Sequence, residues 1–227
     1  MDILFFALLS FYIFYKLSKH LGQVDENEKR DMEEKIARIK ASEKAIMEKI
    51  KEQEVVIGAS STVNSKEKES EDKILATLPD ALKQSLNDIF ARCNITLSFF
   101  LFGAKSAFEM IIKAFASGDL STLKMLLADK IYQGFENAVN ARNASGNALV
   151  TNLIAIEKSE IIGASLVDNF ANIVVKFTSK QINYITDQSG AVVEGNKGEI
   201  AEITDIWTFK KDVTSPNPNW IVSATGS

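Results

Sequence analysis

The chain has 227 residues and a formal net charge of −4, with 26 basic and 30 acidic side chains. This length accommodates one sizeable domain plus additional segments. An acidic balance lacks the positive field that nucleic-acid binding requires, so the composition argues against a nucleic-acid partner. The single cysteine, Cys93, excludes an intramolecular disulfide and is typical of a small, inert core residue.

The apolar segment at residues 1–21 predicts a membrane anchor. Asp2 precedes the apolar run, and Lys16 and Lys19 follow it, whereas a signal peptide carries its positive charge first and a small-residue cleavage site afterwards. Positive charge on the C-terminal side favours a cytoplasmic location for the rest of the chain. A cleaved signal and a core or interfacial helix are the alternatives. The side chains that would enter the bilayer are Ile3, Leu4, Phe5, Phe6, Leu8, Leu9, Phe11, Ile13 and Phe14.

A charged region follows the anchor, and its pattern predicts a helical spacer over residues 22–57. Isoleucines at positions 36, 39, 46 and 50 form a narrow apolar stripe among acidic and basic residues. A coiled-coil or partner-binding helix is the sharper alternative. Residues 58–73 are rich in Ser, Thr, Asn, Lys and Glu, and we expect a flexible linker because so little can be buried. The folded domain is predicted to occupy residues 74–227.

The first half of this domain shows helical periodicity. Thr77 is the predicted cap of a first helix that contains residues 82–90, with Pro79 at an early position. Residues 99–116 form the most apolar helix, which Gly118 is expected to end. Asp119 is expected to cap a short helix at residues 120–127, and a further helix covers residues 131–139.

The second half shows the alternation that is typical of strands. Residues 152–158, 172–180 and 199–213 alternate between apolar and polar side chains, residues 187–190 resemble a turn, and Trp220 begins a final strand. Helices followed by consecutive antiparallel strands indicate an α+β domain, with the helices across one face of a curved sheet.

Two motifs in this order resemble the C-terminal domain of the Tim44 family, and most closely its alphaproteobacterial TimA members. The first is FLFGAKSAFEMIIKAFASGD at residues 100–119 with LKMLL at 123–127; the second is ITDIWTF at 203–209, followed by PNW at 218–220. The resemblance implies an NTF2-like, cystatin-related cone of helices on a curved antiparallel sheet. It also implies adaptor work at the inner membrane, where mitochondrial members dock a chaperone and preprotein near a translocation channel and contact anionic lipid.

The sequence contains few groups that are suited to catalysis. His20 is the sole histidine and lies beside the predicted anchor, and no metal-ligand spacing, glycine-rich phosphate loop or nucleophile motif is present. We therefore expect no cofactor, no metal and no enzymatic activity. Asp205 shares a strand face with Ile203 and Trp207, a position from which it can point into a pocket and have a raised pKa. The favoured interpretation is a hydrogen-bonded structural carboxylate or a residue at the sheet edge. An enzyme that uses Asp205 as a base is the alternative.

Apolar side chains are the better guide to a functional surface. The consecutive residues 99–102 are Phe, Phe, Leu and Phe, which one helix face cannot bury together, so some of them face a pocket, a membrane or a partner. Burial under the preceding helix and burial in the sheet core are the alternatives. The predicted pocket or partner surface comprises Phe99, Phe100, Phe102, Phe108, Ile112, Trp207 and Trp220.

These observations predict a non-enzymatic, membrane-tethered adaptor at the bacterial inner membrane, in protein translocation or membrane-protein assembly. Its expected partners are membrane lipid and a translocase, chaperone or assembly factor. The alternative is a protein that binds a lipid or another apolar ligand in a pocket of the cone, lined by Phe108, Ile112, Val175 and Trp207.

Overall fold

The computed structural model of the protein describes residue 71 and residues 74–226. The predicted anchor and spacer, and nearly all of the predicted linker, lie outside the described residues, so these segments and their boundaries stay predictions. The described elements belong to a compact unit that includes residues 75–226. They are helices α1 (Asp80–Cys93), α2 (Leu97–Ser117), α3 (Leu120–Leu126) and α4 (Asp129–Ala144), followed by strands β1 (Ala148–Val167), β2 (Phe170–Thr186), β3 (Val192–Gly195), β4 (Ala201–Asp212) and β5 (Ile221–Gly226). The α+β class predicted from the sequence is thereby confirmed.

The start of α1 differs from the prediction that Thr77 caps it. Pro79 occupies the N-cap position with an extended ψ of 143°, and the helix begins at Asp80. The first helical hydrogen bond runs from the Lys83 amide to the Pro79 carbonyl. Proline is suited to this position because it has no N–H group to leave unpaired. The helix boundary therefore lies nearer the proline than the sequence pattern indicated.

The boundary between α2 and α3 is formed by the residues that the sequence indicated. Gly118 ends α2 in the left-handed conformation, with φ 75°, where most residues with a side chain would be strained. The Asp119 carboxylate then accepts hydrogen bonds from the Ser121 and Thr122 amides at the start of α3. Hydrogen bonds from the Ser121 and Thr122 side chains lower the pKa of Asp119 to about 2, which keeps this cap ionised. The turn at residues 117–120 is therefore fixed by local chemistry.

The strands form one antiparallel sheet in the order β1-β2-β4-β5, and the short strand β3 also pairs with β2. The β1–β2 hairpin is longer than the alternation predicted, because β1 continues over 20 residues. Register shifts between residues 153/155, 156/158 and 161/163 insert bulges into β1. Each bulge reverses the face on which the following side chains lie, so the hydrophobic alternation of a continuous strand is lost in the sequence.

Helix α2 packs on the sheet face that carries Val175, Phe177, Trp207 and Phe209, which we call the inner face. The Phe108 ring stacks on Phe177 with centroids 4.5 Å apart and lies 4.6 Å from Trp207. Nearer the start of α2, the Phe100 ring meets Phe209 at 5.8 Å and Trp220 at 5.1 Å. These contacts place two turns of α2 against β4 and define the centre of the core.

None of the described helices is by itself long and apolar enough to cross a bilayer. Helices α1 and α2 meet the length and composition criteria together, but the pair bends by 85° at the break between them.

The aromatic core yields a stability prediction. Phe108 is fully buried, so Phe108→Ala should lower the free energy of unfolding by about 3–5 kcal/mol. Phe99→Ala on the same helix is the matched control, since Phe99 is 65% exposed and should change stability by about 0.5 kcal/mol or less. Urea unfolding followed by the fluorescence of Trp207 and Trp220 measures both. Equal destabilisation by the two variants would contradict the packing described here.

Candidate functional site

The seven residues predicted as one pocket or partner surface fall into two sets. Phe100, Phe108 and Trp207 are buried in the core, and Ile112 and Trp220 are partly buried against it. Phe99 and Phe102 point outward and are 65% and 56% exposed. The structure therefore brings the first five together as core and separates the two exposed phenylalanines from them. Whether any of the seven binds a ligand or partner stays a prediction.

The exposed phenylalanines belong to an outward face of α2. Successive residues of a helix are rotated by about 100°. One line along the outside of α2 therefore has seven positions within about 60° of it, opposite the buried positions 104, 108 and 111: they are 99, 102, 103, 106, 109, 110 and 113. We call this face the α2 stripe; it comprises Phe99, Phe102, Gly103, Ser106, Glu109, Met110 and Lys113. Its apolar members Phe99, Phe102 and Met110 are exposed, while Lys113 forms an ion pair with Glu109.

A groove lies beside the start of the stripe, where α1 turns into α2. It has a volume of about 310 Å³ and is lined by Asn87, Phe90, Ala91, Asn94, Ile95 and Thr96. We call it the corner groove. Thr96 links it to the stripe, because its hydroxyl oxygen accepts a hydrogen bond from the Phe99 amide and caps α2. The groove thus combines three apolar side chains with two amide groups and one hydroxyl group, a mixture that can contact both the backbone and the side chains of a peptide.

Sequence reasoning missed the corner groove. It depends on Asn94, which ends α1 in the left-handed conformation with φ 51° and sends the chain into α2 at a sharp angle. Asparagine is one of the few residues that adopt this conformation readily, so Asn94 in the sequence could have indicated the end of α1 and the sharp turn that follows it.

Asp205 lies on the inner face beside the aromatic core, as its position in the alternation of β4 indicated. Trp207, two residues further along β4, lies on the same face of the sheet as this carboxylate. Although Asp205 as a whole keeps some exposure, its Oδ2 atom is shielded from solvent and has no hydrogen-bond partner among the described residues. Burial raises the pKa of Asp205 to about 6, and the Trp207 side chain lowers it by a smaller amount.

A row of polar side chains continues along the inner face of β2, and the sequence analysis did not identify it. The side-chain amide of Gln181 donates a hydrogen bond to the Ser179 hydroxyl at 2.8 Å, and the side-chain amide of Asn183 donates one to Oε1 of Gln181 at 3.2 Å. Ser179 and Gln181 are buried, and the Oδ1 atom of Asn183 has no partner among the described residues. The period-two spacing of Ser, Gln and Asn after Val175 and Phe177 was the signal for this row.

No group of three or more His, Cys, Asp or Glu side chains within the described residues is arranged to hold a metal ion. The described carboxylates with lowered pKa values instead bond to their own turns. Asp187 and Asp212 accept hydrogen bonds from the Ser189 and Thr214 hydroxyls respectively, which lowers the pKa of each. The described residues therefore offer the α2 stripe, the corner groove and the buried polar row of β2 as candidate sites.

The chain belongs to the family of proteins that contain a Tim44-like domain, whose model matches residues 93–227 and hence more than half of the sequence. This family generally consists of non-catalytic adaptors associated with protein translocation. No curated protein matches the chain. A solved structure with a similar fold is the intermembrane space region of the chloroplast protein ARC6, which is 10% identical; the match covers 56% of this chain and 94% of that one, with a TM-score of 0.38.

The raised pKa of Asp205 yields a pH prediction. Between its ordinary value of 3.8 and about 6, the folded state binds a proton that the unfolded state has released, so stability falls as the pH rises through this window. Asp205→Asn cannot ionise, so it should be more stable than the wild type at pH 7, by up to about 3 kcal/mol.

The measurement is urea unfolding at pH 4, 5, 6 and 7, with Asp212→Asn as the control. Because the pKa of Asp212 is lowered, removing its charge should leave the fall in stability between pH 4 and 6 in place. If the free energy of unfolding of the wild type and of Asp205→Asn changed equally between pH 4 and 6, the raised pKa of the buried carboxyl would be contradicted.

Proposed function

We propose that this protein is a membrane-tethered adaptor at the inner membrane of a bacterium and serves protein translocation or membrane-protein assembly. The observation that carries the proposal is the corner groove with Phe99 beside it, on the outside of a Tim44-like domain. An exposed aromatic next to a groove with both polar and apolar lining is found at protein-docking surfaces, in which a few such residues provide most of the binding energy.

The size of this surface indicates weak and reversible binding. Full burial of one phenylalanine contributes about 1.5–3 kcal/mol, and a groove of about 310 Å³ accepts only one or two side chains of a partner. Micromolar affinity requires about 8 kcal/mol, so this contact by itself would hold a partner only briefly. An adaptor that must release its partners benefits from such weakness if it is concentrated where they pass.

The predicted anchor would provide that concentration. The apolar residues at positions 3–14 are followed by Lys16 and Lys19, a charge order that favours a domain on the cytoplasmic side of the membrane. Attachment to the bilayer confines the adaptor and its membrane partners to one surface, which raises their effective concentration without any new contact. The proposal therefore assigns capture to the corner groove and location to the anchor.

An apolar ligand inside the domain has less support. Phe108, Trp207 and Val175 were the expected lining of such a pocket, and the Phe108 ring lies against Trp207 with their centroids 4.6 Å apart. The described side chains thus fill this part of the interior themselves. We therefore propose the outer surface as the binding site.

The adaptor function predicts a site-specific loss of partner binding. A photo-crosslinking amino acid at position 99 of the full chain should capture a translocase, chaperone or assembly factor in native membranes, identified by mass spectrometry. Ala91→Trp fills the corner groove and should reduce this capture at least tenfold, equivalent to about 1.4 kcal/mol. Ala141→Trp, at an exposed position on α4, is the matched control and should leave capture unchanged. Capture of no protein at position 99 would refute the adaptor function.

The location is tested separately. Wild-type protein should resist carbonate extraction from membranes, and Leu8→Arg combined with Leu9→Arg should make it extractable, because charges at the centre of an apolar segment oppose insertion. Fusions at Gly58 should be fluorescent with a cytoplasmic reporter and inactive with alkaline phosphatase. The opposite reporter pattern would place the domain outside the cytoplasm, and extraction of the wild type would remove the anchor.

A further inference from the structure

We propose that the α2 stripe pairs, antiparallel, with the same stripe of a second copy of this chain, about a two-fold axis that passes Ser106. The contact goes beyond the adaptor function, since it is centred on the middle of α2 and shares only Phe99 with the surface at the corner groove. Three observations carry it: an unexplained glycine, a self-complementary spacing of apolar residues, and a matching arrangement of charge.

The glycine is Gly103, in the middle of α2. A glycine inside a helix costs about 1 kcal/mol relative to alanine. Crowding within the chain does not account for it, because a Cβ atom at this position would meet nothing within 4 Å. Gly103 lies on the exposed stripe and its φ is not in the left-handed range. A helix surface that lacks a side chain here lets another helix approach closely, as small residues do in tightly packed helix pairs.

Two of the three apolar residues of the stripe, Phe102 and Met110, are placed symmetrically about Ser106. Phe102 and Met110 each lie four residues from it, on opposite sides. In an antiparallel pair centred on Ser106, Phe102 of one copy therefore faces Met110 of the other. The same geometry places Met110 of one copy near Gly103 of the other, where the missing side chain leaves room for it. An interface that matches itself in this way is the kind that a two-fold dimer requires.

The charges on and beside the stripe match in the same register. Lys105 flanks the stripe on the edge where Glu109 lies, and a two-fold axis brings that edge against its own copy. Lys105 of one copy then lies within about one helical turn of Glu109 of the other, and the reverse pair forms by symmetry. At the end of the stripe, the ammonium of Lys113 lies opposite the ring of Phe99 in the second copy, a favourable pairing of cation and aromatic face.

The extent of the stripe limits the strength of this dimer. Residues 99–113 of a helix span about 21 Å, and one helix pair buries less surface than the roughly 1,200 Å² of a stable interface. We therefore expect a weak dimer that forms when copies are concentrated, as on a membrane surface. The extent of dimerisation in the cell thus depends on the proposed anchor, which concentrates the chains. The geometry of the helix contact does not depend on the anchor.

Cysteine cross-linking of the full chain in native membranes tests the axis. Cys93→Ser removes the single native cysteine, and Ser106→Cys then places one thiol of each copy beside the two-fold axis. A short bis-maleimide should link two copies, identified by co-expressing differently tagged chains. Asn137→Cys, exposed on α4, is the matched control and should give no homodimer.

Charge reversal tests the register. In the Ser106→Cys background, Glu109→Lys should lower the yield of cross-linked homodimer by about tenfold, since each of two ion pairs becomes a repulsion of up to about 1 kcal/mol. Adding Lys105→Glu should restore the yield, although the pair within one chain between Glu109 and Lys113 stays broken. Gly103→Leu should also abolish the homodimer by filling the gap, while leaving the unfolding midpoint unchanged or higher.

The possible outcomes separate this inference from the adaptor function. No homodimer at position 106, or a cross-link there to a different protein, overturns the dimer even if position 99 captures a partner. A homodimer that survives both Glu109→Lys and Gly103→Leu overturns the proposed register. Carbonate extraction of the same membranes establishes whether the chains were anchored, and loss of partner capture by Ala91→Trp reports on the adaptor function alone.

Discussion

The orientation of α2 depends on one contact, that of the Phe108 ring with Phe177 and Trp207. Phe177 and Trp207 lie on adjacent strands, and the register that pairs Val175 with Trp207 and Phe177 with Asp205 leaves both rings on the inner face. The Phe108 ring lies within 4.6 Å of both. Aromatic pairs in this range add about 0.5–1.5 kcal/mol to the burial of their area, so a rotation of α2 about its axis would lose both terms at once.

Fixing this rotation determines which side chains of α2 remain outside. With Phe108 inward, Phe100 and Ala104 point to the sheet as well, because they lie two turns and one turn earlier on the same face. Phe99 and Phe102 must then point away, whatever their hydrophobicity. The exposure of both rings is therefore a consequence of how the core packs. A protein surface that contacts only water would be expected to carry polar side chains at these two positions. The sequence nevertheless has phenylalanine at both positions and glycine at position 103. This combination is the strongest indication that α2 contacts something beyond its own domain.

The sequence predicted the features that depend on neighbours along the chain. The cap at Asp119, the glycine that ends α2 and the alternation of β2 and β4 all follow from local spacing, and the structure has them. The length of β1 could not be predicted, because three bulges shift its side chains between faces. The candidate site was also only partly predictable. Four consecutive apolar residues showed that some must be exposed, but only the position of Phe108 against the sheet decides which.

The inner face of the sheet changes character along β4, and this change explains Asp205. Phe209 and Trp207 lie under α2 among aromatic rings, and Asp205 is the next inward residue, at the edge of that cluster. Ser179 on β2 lies diagonally across from it, at the start of the polar row. The raised pKa of Asp205 thus follows from its place where the apolar part of the face meets the polar part. A general base must reach the proton that it removes, but the Oδ2 atom of Asp205 is shielded from solvent. Burial at a boundary in the core accounts for its perturbed ionisation. The surfaces that we propose for a partner are therefore the outer surface of α2 and the corner groove.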